Sequence, residues 1–431
     1  MTKFRTLRLH SWRQFDDIDI HLHPRLTVLT GANGAGKSTL LTLISRHFGW
    51  TKPFLATPTM NKEGVISYFQ GFFNTLRSLV TRGPEPRSNI GAITYDNGLV
   101  AILSAPEGNE MTYDIEVQQQ QPIDGFHIGS HRALPNYARV GQISSTGVSP
   151  IQAYHNYSTE VLQEFTEGRW NRSPLLRMKE ALIAMAVFGE GNKYVQPNIP
   201  IREAYDGFIE KLKQLLPEAI GFQGIDIRMP DIVLKTRTGE FLLDASSGGL
   251  HSIIETAWRI YLFSLQQRAF VVTFDEPENH LHPSMQRSFL ADLVKTFDEV
   301  QFVVATHSPF MVSAVKDSNV YVLQHAHSDA VTPNQETGAA LPAERTVKSL
   351  FLDTVNKAGS ASAILREALG VPSTIPDWVE EDIRGIVTRY SEREFSPDML
   401  EELRSELTKA GLNDLYPRIV ADVARIHDQT P

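Results

Sequence analysis

The chain has 431 residues, 42% hydrophobic and 21% charged, with a formal net charge of −9 and no cysteine. These values fit a globular chain of two or three domains or lobes, at roughly 100–200 residues each. They exclude disulfides and cysteine nucleophiles, fit a reducing cytoplasm, and speak against a protein that coats nucleic acid through general positive charge, although a local basic groove stays possible.

The N-terminal MTKFRTLRLHSWRQFDD lacks the apolar core of a signal peptide. No run of about 18 apolar residues occurs, so the expectation is a cytoplasmic protein with no membrane part of its own. Residues 4–30 predict strands, because Leu7 and Leu9 alternate with polar neighbours and so do Ile18, Ile20 and Leu22. Leu26–Thr30 is a short apolar run suited to a buried parallel strand. GANGAGKS at 31–38 follows it and fits G-x-x-x-x-G-K-[ST] completely. Leu40, Leu41, Leu43 and Ile44 then form the apolar face of a helix closed by Gly49. Glycines let the loop backbone curl its N–H groups around phosphate, and the helix start adds a positive dipole. Lys37 is the candidate for the β- and γ-phosphates of ATP and Ser38 for Mg2+, with Asn33, Gly34, Ala35, Gly36 and Thr39 completing the cradle.

Residues 51–90 show no clear pattern. Strands return as IGAITY, LVAILS, TYDIEV and GFHIGS between 90 and 130, the first two joined by Asp96-Asn97-Gly98. Residues 150–220 are helical in pattern and bring Arg169, Arg172, Arg177 and Lys179 close in sequence. That cluster reads as a solvated helix face, or as a docking surface for nucleic acid or an acidic partner. Strands IDIRM, IVLKT and EFLLD follow from 225. Ser246-Ser247-Gly248-Gly249 then precedes an apolar helix at 250–267, offering a second helix start to an anion.

FVVTF at 270–274 and FVVAT at 302–306 enclose a helix at about 284–298, the strand–helix–strand pattern of a parallel sheet. The first run ends in Asp275-Glu276, where Asp275 can hold a Mg2+ hydration shell and Glu276 can polarise an attacking water. The second ends at His307, one strand away, placed to sense a γ-phosphate. His280 and His282, near Glu276 and Glu278, read either as a metal cluster or, with Pro283 following, as a loop that contacts another subunit. After Val322 comes a polar stretch with Pro333, Gly338 and Pro342, then helices at 361–369, 376–390 and 397–410. Residues 376–431 hold thirteen acidic and seven basic side chains, which suits protein contact better than DNA binding.

The ordered set GANGAGKS, ASSGG, FVVTFDEPENHLHP and FVVATHSP resembles the ABC-type ATPase heads of the RecF, SMC and Rad50 group. The wording DEPExHLHP and THSPF is similar to the stand-alone heads of the OLD and Septu type in bacterial anti-phage systems. The resemblance covers about residues 1–320. It implies an α/β fold: a P-loop head with an N-terminal antiparallel β subdomain, a helical insertion and a C-terminal helical lobe. The corresponding segments are 1–145 (phosphate loop and β subdomain), 146–222 (insertion), 223–322 (rest of the head) and 323–431 (lobe). It implies a head-to-tail pair, with Ser246 and Gly248 of one copy on the γ-phosphate held by Lys37 of the other. SWRQF at 11–15 is similar to an early family element, which makes Arg13 a candidate nucleotide contact.

The chain departs from the family in four ways. Ala245 stands where leucine usually opens the signature, and no residue is securely the family's glutamine loop, with His131, Arg132 and Gln142 only near it. The long coiled-coil heptads of SMC and Rad50 are absent, as is a carboxylate-rich nuclease domain after the head. The resemblance therefore implies an ATPase acting as sensor or gate for a separate effector such as a nuclease. The alternatives are a RecF-like DNA repair ATPase, a transporter's nucleotide-binding subunit and a nucleotide-gated scaffold.

Overall fold

The computed structural model describes residues 2–60, 64, 66–69, 87–132, 135–144, 148–327, 345–353, 361–367, 369, 375–393 and 395–427. The stretch with Pro333, Gly338 and Pro342 lies outside them. The chain forms two compact units, Met1–Gly370 and Val371–Pro431.

The first unit is built on a mixed sheet with eleven strands among the described residues: β1 (Phe4–Trp12), β2 (Phe15–His21), β3 (Leu26–Gly31), β4 (Arg87–Tyr95), β5 (Val100–Pro106), β6 (Glu116–Gln118), β7 (Gly125–Ile128), β8 (Phe270–Asp275), β9 (Val300–Ala305), β10 (Asn319–His327) and β11 (Arg345–Phe351). Their order across the sheet is β6-β5-β4-β1-β2-β11-β10-β3-β9-β8-β7. Strands β6, β5, β4, β1 and β2 pair antiparallel, while β10, β3, β9, β8 and β7 are parallel. The β1–β2 hairpin sets Leu7 opposite Ile20 and Leu9 opposite Ile18, so the alternating apolar residues share one buried face.

β3, β8 and β9 are buried along their whole length, as strands covered on both faces must be. Alternate residues feed two cores. Leu26, Val28, Phe270, Val272, Phe274, Phe302 and Val304 face one, with α2 (Pro150–Glu167), α3 (Pro174–Glu190), α4 (Ile199–Leu215), α5 (Gly248–Ser264) and α6 (Pro283–Thr296). Leu29, Val271, Val303 and Ala305 face the other, with α1 (Lys37–Ser45). Three of the covering helices start the way their sequences predict: Ser149, Ser173 and Asn198 each accept a hydrogen bond from a backbone N–H in the first turn, with proline just after the cap. Strands 222–228, 231–236 and 239–242 make a separate three-stranded antiparallel sheet.

The structure corrects the expected start of the C-terminal lobe. Residues 319–327 and 345–351 do not belong to a helical lobe but supply β10 and β11 to the main sheet, with β11 parallel to β2 and antiparallel to β10. The compact second unit starts at Val371. It packs helices Asp377–Ser391, Pro397–Lys409 and Tyr416–His427 around Leu403, Leu407, Ile419 and Val423. Ser396 caps the middle helix and Gly411 follows its end in the left-handed region, as its sequence predicts.

Gln301 on β9 is fully buried and clamps the N-terminal strand: its Oε1 accepts from the Phe4 N–H at 3.0 Å, and its Nε2 donates to the carbonyls of Phe4 (2.8 Å) and His23 (3.1 Å). Gln301→Leu strands three backbone groups in the core and should cost about 3 kcal/mol, read as a lowered urea midpoint with an unchanged m-value.

Candidate functional site

The three most buried parallel strands carry the site at one common end. β3 runs into the loop 31–36, whose Gly31, Gly34 and Gly36 have φ values of 138°, 77° and 94°. Two of these positions require glycine for space as well. A Cβ on Gly31 would lie 2.3 Å from the Leu323 carbonyl oxygen of β10, and one on Gly36 2.4 Å from the Phe15 ring. Lys37 opens α1, and its ammonium donates to the carbonyls of Gly31 and Ala32, both at 3.0 Å, so the loop coils around its own lysine.

The ends of β8 and β9 complete the group. Ser38 lies beside the carboxylate of Asp275, at the tip of β8, where its hydroxyl favours the ionised form. Burial pushes the Asp275 acid up to about 6, against the pull of Ser38 and Lys37. Burial likewise lowers Lys37 to about 8, although Asp275, Glu276 and Glu278 favour its charge. Both groups are thus held in a place that disfavours their charged forms. Among the described residues, Asp275 Oδ1 is buried and has no hydrogen-bond partner. A carboxylate oxygen in that state, beside a serine hydroxyl, fits a divalent cation that completes its shell with phosphate and water.

Glu276 adopts a φ of 46°, an uncommon conformation for a residue with a side chain. Its N–H donates to the Ala305 carbonyl of β9 at 2.8 Å. Asn279 Nδ2 donates to Glu276 Oε2 and to the Ser130 carbonyl, both at 3.0 Å. Arg132 Nη2 donates to the Glu276 carbonyl at 2.9 Å, and its guanidinium lies over the Phe274 ring. His307 Nε2 stands 3.9 Å from Glu276 Oε1, and its backbone N–H donates to Glu278 Oε1 at 2.6 Å. Burial and the Lys37 charge hold the His307 imidazole below its usual range, despite the nearby Glu276. Lys37, Ser38, Asp275, Glu276 and His307 therefore sit together. They offer one cation, one metal-competent carboxylate, one partly exposed carboxylate and a histidine favoured in its neutral form.

The other candidates fall differently. Ser247 caps α5 by accepting from the Leu250 N–H, while the neighbouring Ser246 hydroxyl is buried without a partner. Among the described residues no hydrogen bond joins Ser246 or Gly248 to the phosphate loop of the same chain. Gly249 meets the loop after Glu276, where a Cβ would lie 2.8 Å from the His280 carbonyl oxygen. Arg13 donates to the Leu55 carbonyl at 2.7 Å and lies over the Trp12 and Phe54 rings, whereas the adjacent Gln14 reaches the Gly34 carbonyl at 3.3 Å. His282 caps α6 through Ser284, and among the described residues no group of three or more acidic or histidine side chains is arranged for a metal. The metal-cluster reading of His280 and His282 therefore has no support.

The sequence reading missed Asn279 and Gln14 and left Arg132 without a role. Asn279 stands inside the FDEPENH string itself, and an amide just past two acids at a strand tip is the one signal that marked it. The basic cluster of the insertion dissolves into pairs: Arg169 with Glu167, Arg172 with Glu180, Arg177 with Glu160 and Glu180, and Lys179 with Asp244 and Asp231. It is not a free basic surface.

The fold and the site are those of an α/β P-loop domain, and the chain is similar to AAA-type ATPase domains. Two family descriptions match parts of the chain: "AAA domain" at residues 6–76, and "AAA domain, putative AbiEii toxin, Type IV TA system" at 259–313. The first match spans the phosphate loop and the second spans Asp275, Glu276 and His307. The chain is similar to the "Retron Ec83 probable ATPase" of Escherichia coli, 22% identical over 74% of this chain and 71% of that one. It is also similar to the "OLD nuclease" of Thermus scotoductus, 24% identical over 76% of this chain and 63% of that one. The "Septu protein PtuA" of Bacillus thuringiensis is 26% identical over 26% of this chain and 33% of that one. The chain thus spans less than two thirds of the OLD nuclease's length. Among solved structures, an SMC head domain from Thermotoga maritima aligns over 81% of this chain and 99% of its own, at 13% identity and a TM-score of 0.38. Among the described residues, no helix is long and apolar enough to cross a membrane.

Asp275 supplies a pH test of the free head. Its folded acid is weaker than the unfolded one, so the carboxylate destabilises the fold above pH 6, and the penalty fades as pH falls through 6 toward 4. Asp275→Asn should therefore raise the melting temperature at pH 7.5 in EDTA, and that gain should shrink at pH 5.

Proposed function

We propose that this head binds ATP with Mg2+ and hydrolyses it in a composite site made by two copies head to tail. The observation that carries the reading is the convergence of Lys37, Ser38, Asp275, Glu276 and His307 at the ends of β3, β8 and β9. The loop 31–36 presents its backbone N–H groups and the start of α1 to the phosphates, with Asn33, Gly34, Ala35, Gly36 and Thr39 around them. Lys37 exchanges the Gly31 and Ala32 carbonyls for β- and γ-phosphate oxygens. Ser38 and Asp275 would hold Mg2+, which would supply positive charge against that developing on the phosphates. Glu276, aimed by Asn279 and Arg132, accepts the proton of the attacking water, and His307 donates to the γ-phosphate. Ser246 and Gly248 of the second copy complete the site; the buried hydroxyl of Ser246, unpartnered among the described residues, supports that role. Arg13 contributes at the mouth, through the hairpin that brings Gln14 to Gly34.

We further propose that the cycle gates a separate effector, such as a nuclease, in an anti-phage defence complex of the cytoplasm. The likeness to the retron ATPase, the OLD nuclease and the Septu protein supports this over DNA repair. The paired-off state of Arg169, Arg172, Arg177 and Lys179 removes the main sequence argument for a nucleic-acid groove.

Two variants test the chemistry. Glu276→Gln should lower kcat by at least about 100-fold while retaining ATP, and should accumulate an ATP-dependent dimer by light scattering. Turnover at the wild-type rate would remove Glu276 as the base. Lys37→Ala should abolish binding of a fluorescent ATP analogue, and an unchanged affinity would overturn the phosphate-loop assignment.

A further inference from the structure

Lys179 lies in the middle of α3, far along the chain from every motif above, yet its side chain is completely buried. Its ammonium donates to Asp244 Oδ2 at 2.6 Å and to the Ala138 carbonyl at 2.7 Å, and stands 3.3 Å from Asp231 Oδ1. Asp244 Oδ1 accepts in turn from the Ala138 N–H at 3.0 Å. The four parts so joined are α3 of the insertion, the segment 135–144, the strand 231–236 and the short 3-10 turn Leu243–Ala245. That turn delivers Ser246, whose N–H donates to the Leu243 carbonyl at 3.2 Å. Ser247 then caps α5, and Gly249 presses on the His280 carbonyl in the loop that carries Glu276.

A buried ion pair is weak evidence for stability, because an apolar pair of the same volume often serves as well. What it fixes is position, since removing either partner leaves an unpaired charge in the core. Here the position fixed is that of the residue two places before Ser246. We infer that Lys179 is a positioning residue for ATP hydrolysis, holding the Ser246–Gly248 turn in register for the nucleotide of the facing copy. The insertion is thereby tied to that turn, so any movement of α3 is transmitted to the neighbour's γ-phosphate. This inference rests on the composite-site reading above.

The test separates the two. The double variant Lys179→Met with Asp244→Asn removes both charges, fills the lysine's volume and keeps an acceptor for the Ala138 N–H. It should bind a fluorescent ATP analogue within about twofold of wild type, since its own phosphate loop is intact, and hydrolyse ATP at least about tenfold more slowly. Mixed in equal amounts with Lys37→Ala heads, it should regain about a quarter of the wild-type rate, because mixed pairs hold one site with a good loop facing a good turn. A merely structural lesion would not be repaired by a partner unable to bind ATP. Wild-type turnover by the double variant, or no recovery on mixing, would overturn the role of Lys179. The control is Ser246→Arg mixed with Lys37→Ala: if that mixture also stays inactive, it is the composite site that fails. Should the double variant not fold, Asp244→Asn alone, which leaves Lys179 facing Asp231, must show the same loss and the same recovery.

Discussion

The hydrogen-bond register of three parallel strands is the constraint from which the site follows. β9 lies between β3 and β8, with Ala305 opposite Leu29 on one side and Asp275 on the other. Beyond the last ladder rungs, the Thr306 N–H reaches the Leu29 carbonyl and the Glu276 N–H reaches the Ala305 carbonyl. Three chain segments are thus released from the sheet at the same height, and each carries reactive groups at that point. A slip of one residue in either ladder would turn Asp275 into the opposite core. Complete burial of all three strands on both faces makes such a slip expensive, so the chemistry inherits its precision from Val and Phe packing.

Electrostatics then set the site's temperament. A lysine lowered to about 8 and an aspartate raised to about 6 face one another, and their attraction does not offset the loss of water. The free head holds two ionisable groups in a place that penalises their charge, together with a left-handed glutamate. On the reading proposed above, a triphosphate with a divalent cation would supply the missing opposite charge to both. Binding energy would then not be spent on ordering the Glu276–Asn279 loop or on desolvating the ligand's partners. Asn279 and Arg132 hold that loop in place in the free head, which is why its carboxylate already points beside His307.

Much of this was legible in the sequence because local rules suffice for it. The phosphate loop needs Gly31 and Gly36 for reasons of space and φ that any structure must respect, and an apolar run ending in two acids reads as a buried strand tip. The helices between 150 and 220 announced themselves by apolar residues at three- and four-residue spacing. β10 and β11 did not. β10 has a buried apolar run, Val320–Leu323, but it passes straight into the polar stretch, and in β11 Leu350 and Phe351 are exposed while Val347 is buried, so neither showed a clear strand pattern. Lys179 illustrates the other blind spot. It belongs to a sequence cluster with Arg169, Arg172 and Arg177, and only the fold shows that its partners are Asp244 and Asp231, from 65 and 52 residues away. The same long-range pairing decides that Arg13 leans on Leu55 and that Asn279 is held to the Ser130 carbonyl while it braces Glu276 from three residues away.

β11 has a consequence for how the head is made. It is the last sheet strand in chain order and yet lies between β2 and β10, where it joins the antiparallel half to the parallel half. During synthesis both halves can pair internally while their facing edges stay open, each a row of unsatisfied backbone groups. Closure waits for residues 345–351 to emerge, long after the phosphate loop has been translated. A nascent head is therefore a two-piece object with sticky borders from the emergence of β10 until that of β11. Its yield in the cell should depend on chaperones that shield strand edges more than on the strength of either core.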